Sequence, residues 1–349
     1  MPKVKWGIIG LGWFGEYHGD ALAGLPGAEI YALCTRTESR LHELGQKFGV
    51  THLYTDYNQM LADPELDVVS VTTMWDQHTG PALAAIQAGK HVFLEKPMAS
   101  TVADCQAIVD AARASDRYFM VGHIVRFNPR YAAVKREIAS GKIGKVVSMY
   151  ARRNVPVSVG TAVLPKIGPI IGDGVHDTDI MLWYTGARIV SAYAQSLNVH
   201  GHKYPDLGWT MYRFDNGAIG VLENVWCMPD HKGYFPDERM EIIGTDGGAY
   251  VQETYPALSV VTTEGAYTPD PTYWPEIRPG VRGGALAEEL NYFLTCILSN
   301  TPPAVITPEE SMAAVEACLA AEESAATNQV VYLDGKHHVA RPGTRSELT

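Results

Sequence analysis

The stretch Trp6-Gly7-Ile8-Ile9-Gly10-Leu11-Gly12-Trp13-Phe14-Gly15 decides the fold. An apolar strand, Trp6–Gly10, runs into glycines spaced G-x-G-x-x-G, and a helical pattern follows over Gly15–Ala23. Each glycine has its own task. The first, Gly10, permits the tight turn; the second, Gly12, lets a pyrophosphate approach the backbone; the third, Gly15, lets helix and strand pack closely. The helix behind the turn offers free N–H groups and the positive end of its dipole to phosphate. Alone the glycine pattern says little, but between a strand and a helix it predicts a dinucleotide-binding unit, with Trp13 and Phe14 beside the cofactor.

The pattern repeats outward from there. Strand-like runs at Ile30–Leu33, Val68–Thr72, Val92–Leu94 and Tyr118–Val121 alternate with helical patterns at Ser39–Phe48, Pro81–Ala88 and Val102–Ala114. Such alternation predicts a doubly wound α/β domain around a parallel sheet. After about Gly122 the strands lengthen and alternate polar with apolar: Lys145–Arg153, Ile189–Asn198, Trp209–Phe214, Ala218–Trp226, Arg239–Ile243 and Leu258–Thr262. Asp215-Asn216-Gly217 predicts a two-residue hairpin turn with positive φ angles, hence antiparallel pairing. Two helices close the chain, near Ala285–Leu298 and Pro308–Ala325, the second introduced by Thr307-Pro308. The expected domains are a Rossmann domain over residues 1–123 and an α/β domain with a large, mostly antiparallel sheet over 124–349.

Composition narrows the function. The 349 residues carry a net charge of −11, which disfavours nucleic acid and anionic membrane as partners. Five cysteines without a Cys-x-x-Cys pair suit a reducing compartment. With no apolar spanning stretch and no signal-peptide pattern, the expected location is cytoplasmic. No metal site is expected: His176, Asp177 and Asp179 are poorly spaced for one, and His200-Gly201-His202 and His337-His338 are read as solvated loop tips.

Two clusters carry chemistry. Glu95-Lys96-Pro97 ends a parallel strand, where open α/β sheets bind ligands, so Lys96 is placed to donate to an alkoxide oxygen. Asp173-Gly174-Val175-His176-Asp177-Thr178-Asp179 opens a second helix, and His176 suits proton exchange with a hydroxyl near neutral pH. Cofactor choice is read from the end of the second strand, Leu33-Cys34-Thr35-Arg36. It lacks the acid that bonds the ribose 2′-hydroxyl of NAD. Arg36, with Arg40, is expected to pair with a 2′-phosphate, favouring NADP; the alternative is NAD with Arg36 stacked on the adenine.

Gly10–Gly15, Ala88-Gly89-Lys90-His91-Val92-Phe93-Leu94-Glu95-Lys96-Pro97, Arg126-Phe127-Asn128-Pro129 and Gly174–Asp179 together resemble the Gfo/Idh/MocA oxidoreductase family. The resemblance implies a hydride transfer between a nicotinamide and the hydroxyl-bearing carbon of a sugar or inositol-like polyol. It implies that Lys96 stabilises the oxygen, that His176 moves the proton, and that the open sheet pairs copies into a homodimer or homotetramer. Thr35, Thr73, Met74, Trp75, His78 and Glu95 join the expected cofactor side, while Asp173, Arg126, Asn128 and Arg153 join the expected substrate side, Asp173 also standing with Lys96 and His176 as an expected catalytic residue. The family's usual aspartate, four residues before its histidine, is Gly172 here, with Asp173 next door; its usual Pro-Asn is Met74-Trp75. Glycoside cleavage through transient oxidation, or ligand sensing without catalysis, are the alternatives on the same scaffold.

Overall fold

The computed structural model describes residues 3–230, 236–252, 260–263, 265–267, 272–333 and 338–339. The chain packs as two compact units, Met1–Pro129 with Asp270–Met312, and Arg130–Pro269 with Ala313–Thr349.

The first unit opens with β1 (Val4–Ile9), α1 (Trp13–Leu22), β2 (Ala28–Cys34), α2 (Glu38–Phe48), β3 (His52–Tyr54) and α3 (Tyr57–Leu61). It continues with β4 (Val68–Val71), α4 (Thr79–Gln87), β5 (His91–Glu95), α5 (Val102–Ala114) and β6 (Phe119–Gly122). The strands form a six-stranded sheet in the order β3-β2-β1-β4-β5-β6, and each adjacent pair is parallel. Strand order reverses between β1 and β4, so their carboxyl ends border the crevice where such sheets bind dinucleotides. All four residues of β4 are buried, as a strand covered on both faces requires. β3 and α3 carried too short a pattern to be read from sequence.

The second unit comprises α6 (Pro129–Ala139), β7 (Val146–Asn154), α7 (Val157–Val163), α8 (Pro169–Gly172), α9 (Gly174–Thr185), β8 (Ile189–Leu197), β9 (Leu207–Phe214), β10 (Ile219–Val225), β11 (Asp237–Gly244) and β12 (Gly248–Gln252). A hairpin of β13 (Val260–Thr262) and β14 (Gly265–Tyr267) follows; Leu258 and Ser259, expected in this strand, lie outside the described residues. β15 (Glu276–Arg278), β16 (Val281–Arg282) and α10 (Gly284–Ser299) return to the first unit. α11 (Pro308–Thr327) runs from the first unit into the second, where β17 (Val331–Leu333) and β18 (His338–Val339) end the described chain. The large sheet reads β12-β11-β7-β10-β9-β8-β17-β18. It is antiparallel except at β7 and β10.

Two differences from the sequence reading have physical causes. The pattern boundary at 123 assigned everything downstream to the second domain, yet 270–312 packs with the first unit. The cause is the apolar face of α10: Phe293 meets Trp6 and Phe93 edge-on, with centroids 6.1 and 5.9 Å apart. The turn joining β9 to β10 is also not the expected two-residue type. Only Gly217 has positive φ, at 89°. Phe214 N donates to Ala218 O and Gly217 N to Phe214 O, closing a three-residue loop that ends in left-handed glycine.

Candidate active site

In the first unit the glycine turn follows β1 directly. Gly10 adopts φ 98°, and a Cβ there would lie 2.6 Å from Thr73 N. A Cβ on Gly15 would lie 2.0 Å from Gly10 O and 2.8 Å from the Thr72 hydroxyl. At Gly12, the N-cap of α1, a Cβ would meet nothing within 4 Å. Two glycines are thus demanded by the protein's own packing, and the middle one faces open space. That is the division of labour a dinucleotide cradle needs, so the residues present fit the cofactor. Gly15→Ala is expected to lower the melting temperature and abolish cofactor binding, because the added methyl strikes backbone. Gly12→Ala should keep the melting temperature while weakening cofactor titrated by fluorescence at least about tenfold. Equal melting losses in both variants would contradict this assignment.

Trp13 is 62% exposed at the start of α1 and joins Phe14, Tyr17 and Trp274 in an aromatic cluster; Trp13 and Phe14 lie 6.0 and 5.7 Å from Trp274. Thr73, Met74 and Trp75 are half-buried after β4, beside the turn. Thr35 is half-buried at the end of β2, and Arg36 is exposed, its Nη2 donating to Gln77 Oε1 at 2.9 Å. Arg40 is already paired within the protein. Its guanidinium is spent on Leu11 O, Glu16 and Glu43, so it ties α2 to the glycine turn and is not held ready for phosphate. Two nearby carboxylates made this use cheaper than an unpaired cation.

Lys96 follows β5, and a buried chain of hydrogen bonds fixes its backbone. Trp6 Nε1 donates to Ser70 Oγ at 2.8 Å. The same Ser70 Oγ lies 3.2 Å from His18 Nδ1. His18 Nε2 in turn lies 3.0 Å from Glu95 Oε1, and Glu95 Oε2 accepts from Lys96 N at 3.2 Å. Both oxygens of Glu95 are therefore occupied inside the protein. His78 is likewise a strut: buried, its ring nitrogens face Pro97 O at 2.9 Å and Thr73 O at 3.0 Å. Burial pulls its pKa below the ordinary value. Glu95 and His78 thus fix the loops that bear Lys96 and Thr73. Glu289 of α10 was missed by the sequence reading. It is fully buried, neither oxygen has a hydrogen-bond partner among the described residues, and burial together with the Glu95 charge pushes its carboxyl well above the usual range.

In the second unit α9 is buried from Gly174 through Met181, His176, Asp177 and Asp179 included. His176 N bonds Asp173 O in the first turn, and the His176 side chain is 7% exposed. Asp173 is half-buried and accepts from Trp226 Nε1 at 2.8 Å. The same indole explains why glycine stands at position 172: a Cβ there would lie 2.5 Å from the Trp226 ring. Asn224 of β10 is buried, and neither atom of its amide has a partner among the described residues. Its Oδ1 lies 2.8 Å from where a Gly174 Cβ would be, which puts it against the start of α9. The sequence reading missed Asn224, although an amide at an inward position of an alternating strand was its visible signal.

Two residues expected on the substrate side also make internal ion pairs. Arg153 is buried and bidentate to Asp177, at 3.1 Å for both bonds, and reaches Glu238 at 2.9 Å. Arg126, in the first unit, donates to Val305 O at 2.6 Å and Glu310 at 3.1 Å. Asn128, two residues on, is fully buried. The Arg153 bonds also occupy Asp177, one of the three residues weighed above as a metal set.

Residues 4–123 match the oxidoreductase family described as an NAD-binding Rossmann fold, and residues 131–250 match the GFO/IDH/MocA C-terminal domain. An inositol 2-dehydrogenase from Acidothermus cellulolyticus is 31% identical over 75% of this chain and 76% of its own. The chain belongs to the Gfo/Idh/MocA oxidoreductase family. As a Gfo/Idh/MocA protein it is similar across almost its whole length to scyllo-inositol 2-dehydrogenase (NAD(+)) of Bacillus subtilis, 26% identical over 96% of this chain and 97% of that one. Apo scyllo-inositol dehydrogenase from Lactobacillus casei superposes with TM-score 0.82 at 25% identity, over 95% of this chain and 98% of that one. The chain is thus an oxidoreductase with an NAD-binding Rossmann domain. Among the described residues, no helix is long and apolar enough to cross a membrane.

Proposed function

We propose that this protein is a dehydrogenase that oxidises a hydroxyl-bearing carbon of an inositol-like polyol or sugar, with a nicotinamide dinucleotide as hydride acceptor. The observation that carries the reading is the polar cluster at the start of α9. His176, Asp173 and the unspent amide of Asn224 stand together there, and a buried amide without protein partners is what a ligand hydroxyl satisfies. When bound, the nicotinamide supplies the hydride chemistry. Gly10, Gly12 and the first N–H groups of α1 hold the pyrophosphate, with Trp13, Phe14, Thr73, Met74 and Trp75 beside them. His176 takes the proton of the substrate hydroxyl. Lys96 supplies a cation that stabilises negative charge developing on a substrate oxygen. Asp173 and Asn224 orient neighbouring hydroxyls, and the indole of Trp226 fixes Asp173.

For the cofactor we favour NAD, against the NADP expected from two arginines. Arg40 is committed elsewhere, and the Bacillus subtilis relative is named for NAD+. Arg36 alone remains near the adenosine end and gives residual use of NADP. The test is steady-state kinetics on a panel of inositols and sugars, following reduced nicotinamide with each cofactor. The expected result is higher kcat/KM with NAD on at least one polyol. Arg36→Ala should lower kcat/KM for NADP about tenfold, as expected for one lost phosphate pairing, and leave NAD almost unchanged. No cofactor reduction with any polyol or sugar would refute the reading.

A homo-oligomer is part of the proposal. Tyr193, Met211, Val221, Tyr150, Glu241 and Tyr250 form one outward rank across the large sheet by strand register. Met211 is 50% exposed and Tyr250 63%, an apolar face of the kind that pairs copies.

A further inference from the structure

We propose that His200, His202 and Asp206, on the loop between β8 and β9, form a binding site for a divalent transition metal of the zinc class. One ligand atom from each of the three lies within 4.8 Å of the others. The loop is built to hold them there. Asn198 Nδ2 donates to His202 O at 2.6 Å, and His202 N donates back to Asn198 Oδ1 at 3.0 Å. Gly201 bends the chain between the histidines with φ 73°, which brings the two rings to 6.1 Å. Asp206 is fully buried and accepts from Val199 N at 2.7 Å and His200 N at 3.1 Å, so its carboxylate is fixed before any ligand arrives.

A plain loop staple would explain His200 and Asp206, whose Nδ1 and Oδ2 are 2.7 Å apart. It does not explain His202, whose ring has no hydrogen-bond partner among the described residues and yet brings a nitrogen within 4.8 Å of the same carboxylate. Two imidazoles and one carboxylate suit zinc, copper or nickel, and suit calcium or magnesium poorly. Three protein ligands leave a fourth position for water. Metal would replace the proton between His200 and Asp206. Tetrahedral zinc holds N and O ligands about 3.3 Å apart, given bonds of about 2.0–2.1 Å, so the pair must open by about 0.6 Å. The His200 side chain, 44% exposed, has room for that swing. The loop also borders a cavity of about 250 Å³ lined by Ser196, Tyr204, Leu207 and Glu322. A bound ion would therefore fix one wall of that cavity.

The test is calorimetric titration of Zn2+ into the untagged full chain, with Co2+ absorbance as a second readout. Expected are one ion per chain, proton release seen as a buffer-dependent heat, and visible Co2+ bands of tetrahedral intensity. His202→Ala and His200→Ala should each lose affinity at least about tenfold. His337→Ala combined with His338→Ala should leave it intact. His202 is exposed enough for its variant to fold, which circular dichroism checks, and dehydrogenase activity is scored separately. Absence of saturable binding below millimolar metal, or binding that persists in His202→Ala, overturns the site.

Discussion

Turnover of a His176→Asn variant is expected to fall by about 10²–10⁴-fold, the span a positioned proton acceptor contributes. Cofactor affinity should not change, because the cofactor cradle is built from the first unit's glycine turn. Asparagine keeps the size and hydrogen bonding of the imidazole but cannot accept the hydroxyl proton. Lys96→Met is the companion experiment. It removes the cation proposed for the alkoxide and should cost about 10²–10³-fold in kcat. The chain from Trp6 to Glu95 holds the backbone N–H of residue 96, which this substitution leaves in place. Presteady-state hydride transfer with saturating cofactor measures both variants. Wild-type rates in either would remove that residue from the proposed chemistry, whatever the polyol.

The second large effect concerns stability. Arg153→Met is expected to destabilise the protein by about 3–5 kcal/mol, the cost of stranding buried charge when one partner is deleted. Asp177 and Glu238 are both fully buried and both bonded to that guanidinium. The deficit should depend on pH. Burial holds the Asp177 carboxyl up at about 6, although Arg153 draws it down. A folded pKa above the unfolded value near 4 means that folding takes up a proton. The stability this group contributes is complete below about pH 4 and lost as pH rises through about 6. Without Arg153 the folded pKa climbs further and the loss extends to higher pH. Urea midpoints should therefore differ between variant and wild type more at about pH 7.5 than at about pH 5. A pH-independent deficit would show that Asp177 is not what the arginine neutralises.

The parts of the molecule that were legible beforehand are those whose constraint is local. Gly10 and Gly15 are written in the chain because the atoms a side chain would strike, Thr73 N and Gly10 O, are set by the same turn and its neighbouring strand. The parallel and antiparallel halves followed from strand length and alternation. The pairing of arginines was not legible. Arg40, Arg126 and Arg153 look alike in sequence as free cations, and each is settled by an acid elsewhere: Glu16, Glu310 and Glu238. The packing of His78 was hidden for a related reason, since its partners are backbone carbonyls of two separate loops. Gly172 was noted as a departure from the family pattern, but its cause, the indole of Trp226 lying over it, sits more than fifty residues away in the chain.

The return of α10 to the first unit bears on how the chain is made. A ribosome that has released residues 1–129 has delivered every strand of the parallel sheet but not Phe293, which packs against Trp6 and Phe93. The nascent Rossmann half must wait, with that aromatic patch bare, while the whole second sheet is synthesised. A gene cut at the end of β6 would yield a fragment with the same bare patch permanently, so the two halves are separable in pattern but not in manufacture.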